Sequence, residues 1–471
     1  MPSETQPAYD GPRPGSWAEL LGREHRTVVT VFASGIVLFA VNTYLTAASL
    51  PTAIADIGGQ PLYAWVMTVF LLSSVVSSML VTRAMQQLGP RGAYLTGFGL
   101  FGIGSTICAL APNMPIMLVG RLIQGLGGGL LTGLAFTVVR IALPQRLWVR
   151  AIGLTSAMWG VGNLLGPVLG GLFAEIGFWR GSFWILVVGT GILIVPAART
   201  LPGRRPDADP PTPVPWASLT VVALATAAVS VAAIAGDPAV MVGLLVAAVL
   251  VMGLAIVLER RRAIGLLPAM TYRRGNPLKW IYLSVAVLAI GSTAEAFIPL
   301  FGQRLGGMSP FVAGLLGAAL SWGWTVAQLA STTWAEGARS RIVRVAGPGT
   351  LAVGLAGYGV LQSSSSVAAM TGWFVFLFVA GAGIGMAFPH VATAAMTITD
   401  DEDEAARASA GVNSMQMIAN TFGSATAGLL VSLGSDDVAS AHILTGGFAA
   451  LAAFGMLIAA QSLRGGRVGA A

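Results

Sequence analysis

The chain has 471 residues, of which 55% are hydrophobic and only 10% charged, and its mean hydropathy is +0.78. A soluble domain carries about 25% charged residues, so a water-soluble particle and a disordered chain are both excluded and a polytopic membrane protein is implied. The formal charge of +7 does not indicate nucleic acid, because no soluble basic domain exists to carry it.

In chain order, residues 1–28 form a polar tail, and no cleavable signal is expected because the apolar run from Val29 is too long for one. Apolar runs then follow at 29–51, 62–82, 92–111, 115–139, 151–176, 181–199, 216–236 and 239–258. Further runs lie at 280–303, 310–334, 342–362, 369–396, 405–434 and 440–462. Each is near the length that crosses a bilayer, which predicts an all-α membrane protein with fourteen transmembrane helices. All the 26 basic residues except Arg121, Arg180 and Arg304 fall in the tails or on alternate loops. Positive loops stay in the cytoplasm, so both termini are expected there.

The longest loops are the Pro-rich 200–215 and the basic 259–279, and both read as linkers. They bracket the short pair 216–236 and 239–258. The predicted organisation is a cytoplasmic tail (1–28), an N-terminal six-helix bundle (29–199), linkers plus two extra helices (200–279, helices within 216–258), a C-terminal six-helix bundle (280–462) and a cytoplasmic tail (463–471). Two six-helix halves predict a pseudo-symmetric transporter with its site between them.

Two stretches carry chemistry. In 115–139, Arg121 lies in mid-span, where a charge is costly and faces a cavity or a partner. Gln124 lies on the same face one turn on, and Gly125 opens a glycine run. In 151–176, Gly162, Gly166 and Gly170 form a close-packing stripe around Pro167, with Gly171 after it. Packing alone accounts for the stripe but not for the Gly-Pro inside it, which bends a helix.

These stretches resemble the R-x-x-Q-G-x-G-x-G and G-x-x-x-G-P-x-x-G-G motifs of the major facilitator superfamily, and fourteen spans resemble its drug:proton antiporter branch. Leu50-Pro51, Trp65, Trp179-Arg180, Pro299-Leu300, Ser309-Pro310 and Ala408-Ser409-Ala410-Gly411 agree with that branch. The resemblance implies two six-helix bundles plus a two-helix insert, in a bacterial inner membrane. It implies a monomeric, proton-coupled exporter of small amphipathic or cationic organic compounds, working by alternating access. Neither a cofactor nor a metal is implied, and lipid and protons are the other partners. An exporter of a lipid or endogenous metabolite and an uncoupled facilitator are the alternatives.

Two positions depart from the pattern. The family's first-helix Asp corresponds to Asn42, and the acid of the 82–91 loop corresponds to Gln86. Arg83, Gly89 and Arg91 remain in that loop, so its latch must be weaker or built differently. Asp400, Asp401, Glu402, Asp403 and Glu404 lie on the same side. They are either partners of Arg83 or Arg91 when the opposite end is open, or a solvated acidic loop.

Few acids remain for proton exchange. Glu295 lies about 24 Å of helix beyond Lys279 and leads the candidates. Glu175 is second, with pairing to Arg180 as its plainer reading, and His390 is third, with simple hydrogen-bonded packing as its alternative. Asn42, Tyr44, Trp65, Trp159, Asn163, Trp322, Trp324, Asn413 and Gln416 are the candidate cavity residues, although the same aromatics also suit the lipid interface. The three His (His25, His390 and His442) and Cys108 form no sequence cluster for a metal or a catalytic set, and no P-loop is present. A membrane enzyme and an ATP-driven pump are therefore disfavoured.

Overall fold

The computed structural model describes residues 16–203, 216–260, 267–273, 275–331, 337–399 and 401–463. The terminal tails 1–15 and 464–471, the linker stretches 204–215 and 261–266, and Asp400 lie outside the described residues, as do the side chains of Glu402 and Asp403.

The described chain is all-helical. It comprises α1 (Trp17–Leu20), α2 (Arg26–Ile57), α3 (Tyr63–Met79), α4 (Val81–Leu110), α5 (Met114–Ala142), α6 (Gln145–Glu175) and α7 (Gly181–Thr200). Next come α8 (Trp216–Ala232) and α9 (Pro238–Arg260), then α10 (Leu278–Ser292) and α11 (Ile298–Arg304), joined by a 3-10 turn at Thr293–Phe297. The last are α12 (Pro310–Ser331), α13 (Gly337–Leu361), α14 (Val367–Met396), α15 (Glu402–Ser432) and α16 (Asp437–Ser462).

Ten helical spans among the described residues are long and apolar enough to cross a membrane, the broken stretch Leu278–Arg304 counting as one. Fourteen were expected. The apolar parts of α8 and α9, Trp216–Ala232 and Pro238–Leu254, are shorter. The helices α13 and α15 open on charged turns and are the least apolar of the long helices.

Local chemistry sets several boundaries. Asn113, Ser366, Asp401 and Asp436 each cap a helix by accepting from a backbone N–H three residues on. Backbone amides, chiefly that of Ala439, hold the Asp436 carboxyl below the usual carboxylate range. Within α4, Gly89 has φ +69° and is followed by Pro90, so the chain turns sharply and restarts. Only glycine enters that backbone region without strain, and proline suits the first position of the new helix.

Close backbone approaches hold each bundle. A Cβ on Gly162, Gly166 or Gly170 would run into Ala40, Val41, Tyr44, Leu45 or Ala48 of α2. Those three glycines therefore seat α6 directly on α2. In the other bundle, Gly323, Gly381 and Gly385 do the same for α12 and α14. The pair α8–α9 packs chiefly on α15 through Val229, Ala232, Ala248, Ala425 and Leu429, and also touches α3.

The bundles meet along two seams, α6 with α12 and α3 with α15. At the end holding Arg180 and Arg304 (the Arg-poor end) these seams are tied. Tyr63 OH of α3 donates to Ala296 O at 2.9 Å, and the Tyr63 ring stacks on Phe297 at 4.7 Å. Thr68 Oγ1 donates to Ser424 Oγ at 3.1 Å, and Phe311 N donates to Glu175 Oε2 at 3.0 Å. Toward the opposite, Arg-rich end, the same seam helices expose Trp159 and Asn413.

Candidate functional site: two polar centres

The first centre is sealed inside the N-terminal bundle. Arg121 of α5 has no exposed surface. Its Nη1 donates to Gln124 Oε1 (2.6 Å), Asn42 Oδ1 (3.0 Å) and Thr46 Oγ1 (3.4 Å), and its Nε donates to Val66 O (3.0 Å). The guanidinium lies 4.1 Å from the Phe70 ring centroid. Gln124 passes the network to Ser105 Oγ at 2.7 Å. No carboxylate among the described residues pairs with Arg121. The cation is therefore held by neutral acceptors and a π face, which offset the cost of burying the charge. Gly125 completes the seat, because a Cβ there would strike Phe70 O and Ser73 Oγ.

The second centre lies where α10 gives way to the 3-10 turn. Glu295 sits in that turn, and its Oε1 accepts from Ser321 Oγ of α12 at 2.8 Å. Tyr44 of α2 reaches toward the same Glu295 and Ser321 from the other bundle. This acid is half-buried and has no ion-pair partner among the described residues. Discontinuous helices at the interface of two repeats are the usual setting for substrate and ion sites in transporters. Here the break places one carboxyl, one hydroxyl and one phenol at the junction of both bundles.

Other candidates are distributed differently. Glu175 is exposed and caps the start of α12 from α6. It does not pair with Arg180. That Arg instead pairs with Asp56, which also accepts from Trp179 Nε1 at 3.1 Å, and it donates to Ala111 O. The geometric reason is that α2 ends beside the turn before α7. His390 is buried, with Nδ1 3.1 Å from Ser340 Oγ and Nε2 3.1 Å from Ser331 O. A carbonyl only accepts, so these partners assign the proton to Nε2. That histidine joins the end of α12 to the start of α13.

Three expected cavity residues are placed elsewhere. Asn42 has no exposure and is bound to Arg121. Trp65 donates from Nε1 to Ser230 O of α8, so its polar edge holds the two-helix insert. Trp324 donates to Gln328 Oε1 and packs on Phe388 inside the C-terminal bundle. Trp159 is 37% exposed and stands edge-on to Phe39, which contacts Phe70 in turn. Asn163 Oδ1 and Trp322 Nε1 are buried without a partner among the described residues. Gln416 is half-buried on α15. Arg83 is half-buried and Arg91 exposed at the Arg-rich end, where Arg91 N donates to Pro202 O and neither side chain is in an ion pair among the described residues.

Sequence reasoning missed Ser321, Tyr63 and Asp56. Ser321 and Tyr63 are ordinary residues in apolar runs and Asp56 is an acid between two such runs, and only the partner across the fold distinguishes each.

Comparison with known proteins agrees with this architecture. The family model described as Major Facilitator Superfamily matches residues 32–396. The chain belongs to the major facilitator superfamily. A probable multidrug-efflux transporter of Mycobacterium tuberculosis is 40% identical over 456 residues, covering 95% of this chain and 96% of that protein. Among solved structures, a D-xylose–proton symporter superposes with TM-score 0.67 at 16% identity, covering 94% of this chain and 98% of that one. A POT family transporter in complex with 5-aminolevulinic acid gives TM-score 0.67 at 16% identity, covering 95% and 97%. The two solved structures share the fold with this superfamily member. It is a membrane transporter and not an enzyme.

Proposed function

We propose that this superfamily member is a proton-coupled exporter of small amphipathic or cationic organic compounds that works by alternating access. The observation that carries the reading is Glu295, a carboxyl without a cationic partner among the described residues, set in a helix break where Tyr44 and Ser321 meet from both bundles. Such a group exchanges a proton between two facings at low structural cost, because no ion pair has to be broken. The multidrug-efflux name of the 40% identical relative supports the substrate class. So do the exposed Trp159 and the half-buried Gln416, since aromatic and amide groups suit amphipathic compounds.

The reading includes fourteen crossings, the six-plus-two-plus-six division, a monomer and a bacterial inner membrane with both termini in the cytoplasm. The Arg-rich end is then cytoplasmic, and the tied Arg-poor end makes the present conformation inward-facing. An uncoupled facilitator is the second reading. The neutral Asn42 on Arg121 favours it, because that centre has no titrating carboxyl.

Purified protein in proteoliposomes separates the two. Glu295→Gln is expected to lower pH-gradient-driven transport at least tenfold while leaving substrate binding and gradient-free exchange intact. Undiminished gradient-driven transport in that variant would exclude Glu295 as the coupling group, and gradient-independent transport in the wild type would establish the facilitator.

A further inference from the structure

The 3-10 turn Thr293–Phe297 does two jobs within five residues. Glu295 is its acid. Ala296, the next residue, supplies the carbonyl that accepts from Tyr63 OH at 2.9 Å. Phe297, the one after, is the ring on which Tyr63 stacks, with centroids 4.7 Å apart and planes 28° apart. Tyr63 belongs to α3 of the N-terminal bundle and is 3% exposed. One phenol therefore ties the bundles at the Arg-poor end by gripping the two residues that follow the candidate proton site.

We propose that Tyr63 is a positioning residue that transmits the protonation state of Glu295 to the Arg-poor gate. The inference rests on the proton-coupled reading of Glu295 given above. A 3-10 turn is short and tightly wound but has poorer hydrogen-bond geometry than an α-helix, so inside a helix it serves as a hinge whose few residues shift together. Protonated Glu295 stays against Ser321, and the turn presents Ala296 O and Phe297 to Tyr63. Ionised Glu295 has no cation to meet it, and burying it is costly. It turns toward water, rotates the turn and withdraws both Tyr63 contacts. Loss of the proton then opens the Arg-poor end, and uptake of a proton from that side closes it. That sequence is what an exporter needs in order to return to its inward-facing state.

The surroundings leave few other groups to confer pH dependence. The titratable groups facing the turn from α2 and α3 are Tyr44 and Tyr63. Arg304 ends α11 and pairs with Asp437 at the start of α16, with His442 one turn further along that helix. Helix α12 carries no titratable residue, those of α10 (Lys279 and Tyr282) lie at its Arg-rich end, and α15 meets the turn through Gly423.

The test measures gate opening against pH. In a Cys108→Ser background, spin labels at Gln60→Cys and Ser365→Cys, both exposed at the Arg-poor end, report the distance across it in lipid nanodiscs. For the otherwise wild-type protein, the open-to-closed ratio is expected to rise between low and high pH. Tyr63→Phe keeps the stacking but loses the hydrogen bond, and should raise the ratio at low pH roughly fivefold. Tyr63→Leu loses both contacts, and should raise it about tenfold or more and flatten the response to pH. The flattening is the signature, since a tie that was merely structural would raise the ratio by the same factor at every pH. Equal shifts at all pH values, or no shift in either variant, with Glu295→Gln still abolishing the pH response, would overturn the role of Tyr63 alone. A pH response that survives in Glu295→Gln would overturn the coupling reading and this inference with it.

Discussion

The Arg121 centre and the Glu295 centre each hold one ionisable side chain inside the membrane fold, one basic and one acidic, and solve the burial problem in opposite ways. Arg121 spends its donors on Asn42, Thr46, Gln124 and Val66 O, lies on the Phe70 ring and has no exposed surface. Glu295 accepts from a single hydroxyl, that of Ser321, and sits in a broken helix that the other bundle's tyrosines approach. A charge held by several neutral acceptors and a ring face is a fastener. A charge with capacity left over can change its state and its neighbours, and it is the better candidate for work.

That contrast can be broken by experiment. The largest effect is expected at Arg121→Leu. It removes the donor to Gln124 Oε1 and weakens the hydrogen bonding of Asn42 Oδ1 and Val66 O in a dry interior, at a cost of about 3–5 kcal/mol, the range for removing one partner from a buried charged network. Thermal unfolding in detergent reads this directly, and a stability equal to wild type would remove the fastener role. Gly166→Val should come next, at about 1–3 kcal/mol, because the new Cβ would lie 2.6 Å from Tyr44 Cβ and 3.0 Å from Leu45 N. The same melting curves measure it. Glu295→Gln should hardly shift the melt, since the amide oxygen still accepts from Ser321, while gradient-driven transport falls. A large drop in stability there would place Glu295 among the fasteners too.

The smallest effect is expected at the Arg-rich surface. Arg146 Nη2 and Nε donate to Glu19 Oε1 at 2.6 and 2.9 Å, and this holds the Glu19 carboxyl below its usual range. A lowered acid contributes above its unfolded pKa and loses the contribution as pH falls through the folded value. The protection of α1 amides against hydrogen exchange, taken relative to the intrinsic rate at each pH, should therefore fall on acidification below the ordinary glutamate range. In Arg146→Gln that protection should already be low at neutral pH.

Much of the membrane character was legible residue by residue. Apolar runs marked where the helices lie, because crossing length and hydropathy are local properties. The positions of Arg121, Gln124 and the 162–171 glycines were legible as motifs, because a mid-span charge and a four-residue glycine spacing each imply a neighbour. The identity of the neighbour was not legible. Arg180 found Asp56 instead of Glu175, and Trp65 turned to α8 instead of a cavity, since both depend on where distant helix ends come together. The break at Thr293–Phe297 was also missed. Its residues read as apolar helix, and the interruption is visible only with α12, α15 and α3 packed around it.

Sequence alone determined that this chain is a helical membrane protein with major facilitator motifs and a lone acid well inside its second half. The membrane character and the lone acid rest on composition and spacing, and the motifs on resemblance to a known family, none of which needs a partner in the fold. Only the tertiary structure decided that Arg121 is sealed by neutral groups, that Glu295 faces both bundles and that Tyr63 grips the same turn. Each of these is a contact between residues far apart in the chain, and such contacts exist only after the helices have packed.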